Sequence, residues 1–331
     1  MTATPPAASP AAPDRSTLAA FLGVVVFGGV NAIAVKLSVE ELAPFWSAGL
    51  RFIAAGLLLV GIVTLTRRSF PRGRSLSGAA LYGTLAFAAS FGFIYPALRE
   101  VPAGTAMVLI SLVPLLTFGF AILHGQERFH VQGLIGALIA LGGVALIVAD
   151  QLDAAVPLVS LLLILVGVAF IAESGVILKW VPRSDPFATN AVAMLVGALI
   201  LVALSIASGE VWSLPAHPAT WASVAYLVVF GSIAMFGLYL FALRRWTASA
   251  VSYVTLLMPL VTVPLAAALI AEQVSLWFLV GGAIALAGVY VGAFLKIRPR
   301  RSSATSAPEC LPIDACAESE ADPELATRTA S

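Results

Sequence analysis

The chain has 331 residues, of which 60% are hydrophobic and only 11% are charged, and its formal net charge is +1. Soluble domains carry about a quarter of charged residues, so a water-soluble core could not hide this much apolar surface. The small net charge also excludes the basic surface that nucleic-acid binding requires. Composition therefore predicts an integral membrane protein in contact with the lipid bilayer.

Apolar runs recur along most of the chain, each close to the roughly 20 residues that a helix needs to cross a bilayer. They predict an all-α fold with ten transmembrane helices, at 17–36, 44–65, 78–98, 103–123, 131–149, 157–178, 186–208, 221–243, 248–271 and 275–296. The flanking segments 1–16 and 298–331 contain few large apolar residues and are predicted to be disordered. The only cysteines, Cys310 and Cys316, fall in the second of these segments and do not indicate a disulfide or a metal site.

Basic residues are unevenly distributed between the predicted loops. If the N-terminus is cytoplasmic, most of the 18 Lys and Arg residues also lie on the cytoplasmic side. Cytoplasmic loops of membrane proteins carry an excess of such residues. The distribution predicts cytoplasmic termini and a multi-pass plasma-membrane protein, in the inner membrane if the source is prokaryotic.

Two similar stretches lie 145 residues apart, ALREVPAGTAMVLISLVPLL at 97–116 and ALRRWTASAVSYVTLLMPLV at 242–261. The same shift pairs residues that a merely apolar composition would rarely pair, namely Arg99 with Arg244, Pro114 with Pro259 and Glu127 with Glu272. Each copy contains five predicted helices, and because five is odd the copies enter the membrane in opposite senses. The sequence predicts an inverted repeat of two five-helix halves, 17–149 and 157–297, which is the usual construction of alternating-access carriers.

Four stretches carry a family resemblance, FGGVNAIAVKL at 27–37, PFWSAGLRF at 44–52, PAGTAMVLISLVPLLTFGFAILHGQE at 102–127 and TASAVSYVTLLMPLVTVPLAAALIAEQ at 247–273. They resemble the paired EamA domains of the drug/metabolite transporter superfamily, and the resemblance covers about 17–297. It implies ten helices and secondary transport, often export of amino acids, metabolites or toxic compounds. It also implies a cavity lined mainly by the first, third, fourth, sixth, eighth and ninth helices.

Two ionisable residues fall within predicted spans, where a functional role is the first hypothesis. Glu173 lies about six residues inside the sixth span. It is interpreted either as a proton-coupling or cation-binding carboxylate, or as a structural residue held by a neighbouring hydroxyl or by Lys179. Arg51, in the second span, is assigned a structural role in which its side chain extends towards Glu40 or Glu41 at the outer surface.

Prolines and glutamates at matched positions are predicted to shape the bundle. Pro114 and Pro259 fall in mid-span, where each removes a helical hydrogen bond, and they are predicted to form a hinge or shape the cavity. Glu127 and Glu272 lie at helix ends and are assigned structural roles.

Polar and aromatic residues on the cavity-forming helices supply the remaining candidates. Six are predicted to contact substrate or the coupling ion, or alternatively to bond neighbouring helices: Asn31, Ser90, Tyr95, Ser111, Ser252 and Tyr253. Four aromatic residues either line an amphipathic pocket or simply pack: Phe91, Phe93, Phe236 and Tyr239. Glycines of the last helix, including Gly281 and Gly288, predict close helix packing within the chain or in a homodimer.

An enzyme is not expected, because all three histidines fall in predicted loops and no zinc-protease or serine-hydrolase motif occurs. No cofactor or metal site is indicated. The sequence predicts a secondary transporter that exports a small metabolite, amino acid or drug-like compound by alternating access, with proton entry through Glu173 as a hypothesis. The alternative is a lipid or amphiphile translocator with the same architecture. The few polar groups on apolar helices do not specify the substrate.

Overall fold

The structure is a computed structural model, which describes residues 15–126, 129, 131–153, 155–182, 184–246, 251 and 254–294. Within these ranges the chain forms ten helices and no strand, which confirms the all-α prediction. In chain order they are α1 (Arg15–Glu41), α2 (Pro44–Leu65), α3 (Arg74–Ala97), α4 (Ala103–Leu123), α5 (Val131–Asp153), α6 (Leu158–Leu178), α7 (Pro186–Ala207), α8 (Pro218–Arg245), α9 (Val254–Ile270) and α10 (Leu276–Phe294). Eight are long and apolar enough to cross a membrane, and the described parts of α9 and α10 are shorter apolar helices.

Helices α3 and α8 each contain a π-helical turn, at Thr84–Ala89 and Val229–Ala234. These turns lie 145 residues apart, which is the spacing of the sequence repeat. A π-helical turn accommodates an extra residue in a helix and is frequent near functional sites. The local backbone conformation therefore repeats together with the sequence.

Helices α4 and α9 are interrupted at the two matched prolines. Helix α4 breaks at residues 111–112 before continuing as Val113–Leu123, and α9 breaks at Met258 before continuing as Pro259–Ile270. Proline lacks the backbone N–H that would bond to the preceding turn, so a break at this place is expected.

Two lysines, 143 residues apart in the sequence, connect the first helix of each half to the end of its third helix. Lys36 Nζ donates to the carbonyls of Leu98, at 3.4 Å, and Val101, at 3.0 Å. Lys179 Nζ donates to the carbonyls of Leu243, at 3.0 Å, and Trp246, at 3.2 Å. Carbonyls at a helix C-terminus have no partner within the helix and attract a cation. Lys179 thus satisfies a helix end instead of pairing with Glu173.

Helices α5 and α10 pack closely through small residues, and the contacts are reciprocal. A Cβ placed on Gly143 would lie 2.3 Å from the backbone nitrogen of Ala285, and one on Gly288 would lie 2.3 Å from that of Ala140. Gly281, matched to Gly136, also faces α5 within the same chain. The predicted close helix packing is therefore intramolecular at these glycines, and a homodimer contact through Gly281 and Gly288 is not available.

The remaining helices also pair across the two halves. Helix α2 packs along α7, α1 along α8, and α3 along α6. Helix α1 corresponds to α6 in the other half, and α8 corresponds to α3, so the α1–α8 contact has its equivalent in the α6–α3 contact. The contact of α2 with α7 joins two corresponding helices directly. The two halves thus contact each other through equivalent elements.

Two glutamates bind the N-termini of helices in the first half. Glu210 accepts hydrogen bonds from the backbone nitrogens of Phe45, at 3.0 Å, and Trp46, at 2.8 Å. Glu272 accepts from Ala103, at 2.6 Å, and Gly104, at 3.0 Å. The first N–H groups of a helix lack intrahelical partners, and the helix dipole favours a negative charge there. These bonds support the structural role assigned to Glu272, whereas its repeat partner Glu127 lies outside the described residues.

We expect Glu272→Ala to destabilise the bundle by about 1 to 2 kcal/mol, because two helix N–H groups lose a charged partner. Thermal unfolding in detergent would measure the effect. Glu40→Ala is the matched control, because Glu40 is exposed at the end of α1. Equal melting temperatures for the two variants would contradict the capping role.

We expect Gly143→Ala to destabilise the protein, because the added methyl group meets the backbone of α10. Gly142→Ala is the control in the same helix, since a Cβ there meets nothing within 4 Å. An alanine in an open helical position is neutral or stabilises by up to about 1 kcal/mol. The two neighbouring substitutions should therefore shift the melting temperature in opposite directions, and a parallel shift would refute the close contact.

Candidate functional site

A cavity of about 980 Å³, counted with its opening, lies between α1, α3, α4, α6, α8 and α9. These are the six helices that the family resemblance implies. The wall is mainly apolar, with Met107, Ile110 and Met258 among its residues. Polar groups are contributed by five lining residues: Asn31, Tyr82, Ser174, Tyr239 and Thr255. Such a pocket suits an amphipathic molecule held by a few hydrogen bonds.

Three of the four aromatic candidates line this cavity, namely Phe91, Phe236 and Tyr239. Phe93 does not, because it stacks on Phe170 with 5.8 Å between the ring centroids. For Phe93 the packing interpretation is therefore correct.

A fully buried arginine lies beside the cavity. Arg51 has no exposed surface and comes from α2, while its guanidinium contacts α1, α3 and α8. Its four hydrogen bonds go to Ser232 Oγ at 2.8 Å, the Tyr95 hydroxyl at 3.1 Å, Asn31 Oδ1 at 3.1 Å and the Gly231 carbonyl at 2.6 Å. The guanidinium also lies over the rings of Phe52 and Phe91, 4.9 and 5.3 Å from their centroids.

The predicted orientation of Arg51 towards Glu40 or Glu41 is wrong. Glu41 instead accepts hydrogen bonds from the backbone nitrogens of Ala216 and His217. Arg51 is directed inward because the π-helical turn of α8 presents both the Gly231 carbonyl and the Ser232 hydroxyl to it. Among the described residues, no carboxylate forms an ion pair with Arg51.

Glu173 has an unpredicted partner, His124, which directly follows the last residue of α4. His124 Nε2 lies 3.2 Å from Glu173 Oε1, and the two side chains are 27% and 20% exposed. The other ring nitrogen, Nδ1, lies 2.8 Å from the carbonyl of Phe120. The second carboxylate oxygen, Oε2, is buried and has no hydrogen-bond partner among the described residues. Glu173 itself does not line the cavity, although Ile171 and Ser174 on either side of it do.

The other predicted polar residues are distributed as follows. Asn31 lines the cavity, whereas Tyr95 is fully buried and accepts the bond from Arg51. Ser90 and Ser111 are buried and donate to carbonyls of their own helices, those of Ala86 and Val108. They therefore satisfy helix backbone and do not line the cavity.

Four further predicted residues are not found among the described residues that line the cavity. Ser252 and Tyr253 are outside the described residues. Pro114 and Pro259 do not line the cavity, but their neighbours Val113 and Met258 do. The proline breaks thus adjoin the wall, as a role in cavity shape requires.

Sequence reasoning missed Ser174 and Thr255 in the wall. Ser174 could have been found from the repeat, because it follows Asn31 by 143 residues, the spacing that also relates Lys36 to Lys179. Within the described ranges, no group of three His, Cys, Asp or Glu side chains is placed to hold a metal ion.

A model of the EamA-like transporter family matches residues 15–149 and 158–293. The "Uncharacterized inner membrane transporter YedA" of Escherichia coli K12 is 28% identical over 257 residues, covering 77% of this chain and 83% of that protein. A "Probable amino-acid metabolite efflux pump" of the same organism is 24% identical over 282 residues, covering 82% and 92%.

A "WAT1-related protein At3g02690, chloroplastic" of Arabidopsis thaliana is 26% identical over 281 residues, covering 81% of this chain and 67% of that protein. A solved crystal structure matches with a TM-score of 0.63 at 18% identity, covering 86% of this chain and 99% of its own, which supports the fold alone. The two family matches together span most of the sequence, and the chain belongs to the EamA-like transporter family.

Proposed function

We propose that the protein is a secondary transporter that exports a small amphipathic metabolite, amino acid or drug-like compound by alternating access. The observation that carries this proposal is the cavity, which is lined by α1, α3 and α4 of one half and by α6, α8 and α9 of the other. Because these helices are equivalent, exchanging the conformations of the halves would open the same cavity first to one side and then to the other. The reciprocal contact of α5 with α10 supports such a relation between the halves.

Export is favoured by the relative that is named as a probable amino-acid metabolite efflux pump. The hinge in this proposal lies at the breaks of α4 and α9, where helical hydrogen bonding is already interrupted next to the cavity wall. Domain movements commonly concentrate at a few such positions.

We propose further that transport is coupled to protons through Glu173 and His124. The Phe120 carbonyl can only accept a hydrogen bond, so Nδ1 of His124 carries the hydrogen that points to it. Nε2 and Glu173 Oε1, at 3.2 Å, then need one shared proton, either on the imidazole or on the carboxyl group. Without it, a nitrogen lone pair would face a carboxylate oxygen.

Loss of this proton would weaken the contact between the end of α4 and α6, two helices that line the cavity. Lys179, at the end of α6, does not take the place of the proton as the positive partner of Glu173, because its Nζ donates to the carbonyls of Leu243 and Trp246. The rings of Trp180 and His124 meet edge to face, with 5.0 Å between the centroids. Proton binding and release at this pair would therefore alter how one half packs on the other.

In the membrane we propose that both termini are cytoplasmic, which places His124 and Glu173 near the cytoplasmic face. Cys310 and Cys316 are the only cysteines in the sequence and provide a direct test. A membrane-impermeant maleimide should not label intact cells and should label inside-out vesicles. Leu214→Cys, in a variant with both natural cysteines changed to Ser, should be labelled from outside because Leu214 is exposed in the α7–α8 loop. The opposite pattern would invert the orientation.

Proton coupling can be tested in liposomes with an imposed pH gradient and a panel of amino acids and aromatic acids and amines. We expect gradient-driven flux with the wild type and flux without dependence on the gradient with Glu173→Gln. His124→Gln should show the same loss, because its amide cannot share the proton. Glu40→Gln is the control, since this glutamate is exposed and lies away from the pair.

Unchanged coupling in Glu173→Gln would remove this residue from the mechanism. The alternative function, translocation of lipids or amphiphiles, is tested in the same liposomes with fluorescent phospholipids. Lipid scrambling without flux of any soluble compound would favour the alternative over the exporter.

A further inference from the structure

We propose that the cavity selects molecules that carry one carboxylate on an apolar body, and that Asn31, positioned by Arg51, binds the carboxylate. The inference rests on the proposed function only in taking this cavity as the substrate site. It names the substrate class and the residues that determine it.

Arg51 carries a buried positive charge beside the cavity. A guanidinium stays protonated, and this one is fully buried. Its partners among the described residues are four neutral oxygens and the rings of Phe52 and Phe91, and none of them carries a negative charge. A buried charge of this kind is costly unless an opposite charge approaches it. An anionic ligand in the adjoining cavity supplies that charge.

The Asn31 amide has a fixed orientation. Its Oδ1 accepts from Arg51 Nη2 at 3.1 Å, so the amide nitrogen is the group left for the cavity that Asn31 lines. This nitrogen has no hydrogen-bond acceptor among the described residues. Gly231 makes the arrangement possible, because a Cβ there would lie 2.4 Å from Asn31 Oδ1. Arg51 therefore fixes Asn31 as a hydrogen-bond donor towards the ligand.

The repeat contains no second buried arginine site of this kind among the described residues. The repeat places Ala193 opposite Arg51, since PF at 44–45 recurs at 186–187, and Phe87 opposite Ser232. Both positions are apolar and fully buried. The matched site is thus packed without a charge, so the fold does not require one at this place.

The remaining described wall of the cavity is uncharged. Among the described lining residues none is Asp, Glu, Lys, Arg or His. The amine of a cationic ligand would find no carboxylate among these lining residues, and Arg51 would repel it. The apolar side chains of Met107, Phe236 and Met258 suit the remainder of a monoanion.

The test is calorimetric titration of the purified protein in detergent with three compounds of one shape: phenylbutyrate, phenylbutyramide and phenylbutylamine. We expect the carboxylate to bind at least about tenfold more tightly than the amide, because a charge-assisted hydrogen bond replaces a neutral one, and the amine to bind weakest. Equal affinities, preference for the amine, or no binding of phenylbutyrate up to about 10 mM would overturn the proposal.

Substitutions assign the preference to Asn31. Asn31→Leu should reduce it to less than about threefold, and Asn31→Asp, whose carboxylate can still pair with Arg51, should reverse it in favour of the amide. Asn190→Leu is the matched control, because Asn190 is buried in α7 away from the cavity and its Oδ1 has no partner among the described residues. Thermal unfolding establishes that each variant is folded. An unchanged preference in folded Asn31→Asp would exclude Asn31 as the binding residue.

Binding is measured without a gradient and without transport, so the two proposals fail separately. Absence of flux with an intact carboxylate preference would contradict the transporter mechanism and leave this site. Flux of a compound, together with equal binding of the carboxylate and the amide, would support the transporter and contradict the carboxylate site. Titration with dodecanoate distinguishes a small acid from a fatty acid, because tighter binding of the long chain would assign the site to a lipid.

Discussion

The structure depends on one constraint, that backbone groups at helix ends which the bundle removes from water need partners from the protein itself. Most charged side chains described within the bundle meet this need. Lys36 and Lys179 bind carbonyls at C-termini, and Glu210 and Glu272 bind N–H groups at N-termini. Because Glu210 and Glu272 belong to the second half and bind helices of the first, the same interactions that complete the helices also join the halves.

Against this background, the ionisable groups that serve no helix end become informative. Arg51 and Glu173 have no charged counterpart in the repeat, where Ala193 and Val30 occupy the matched positions. The two residues therefore depart from the similarity between the halves. One of them lies beside the cavity, and the other lies between two of the helices that line it. The two proposals, ligand selection beside Arg51 and proton coupling at Glu173, therefore concern different places in the bundle.

The sequence predicted the membrane class, the helices and the matched prolines, because hydropathy and internal similarity are local properties of the chain. It predicted Asn31 as a cavity residue from its helix and its polarity. It did not predict the direction of Arg51, because that depends on a π-helical turn about 180 residues away in α8. It also did not predict that His124, which lies in the turn directly after α4 as expected, contacts Glu173. Both concern contacts between distant segments, which no periodicity encodes.

The π-helical turns also determine which residues face the cavity. Each precedes a lining phenylalanine on the same helix, Phe91 in α3 and Phe236 in α8. An α-helix turns by about 100° per residue, so one inserted residue rotates everything beyond it by that angle. The extra residue in each half therefore sets the rotation of the helix beyond it, and with it the direction in which Phe91 and Phe236 face the cavity.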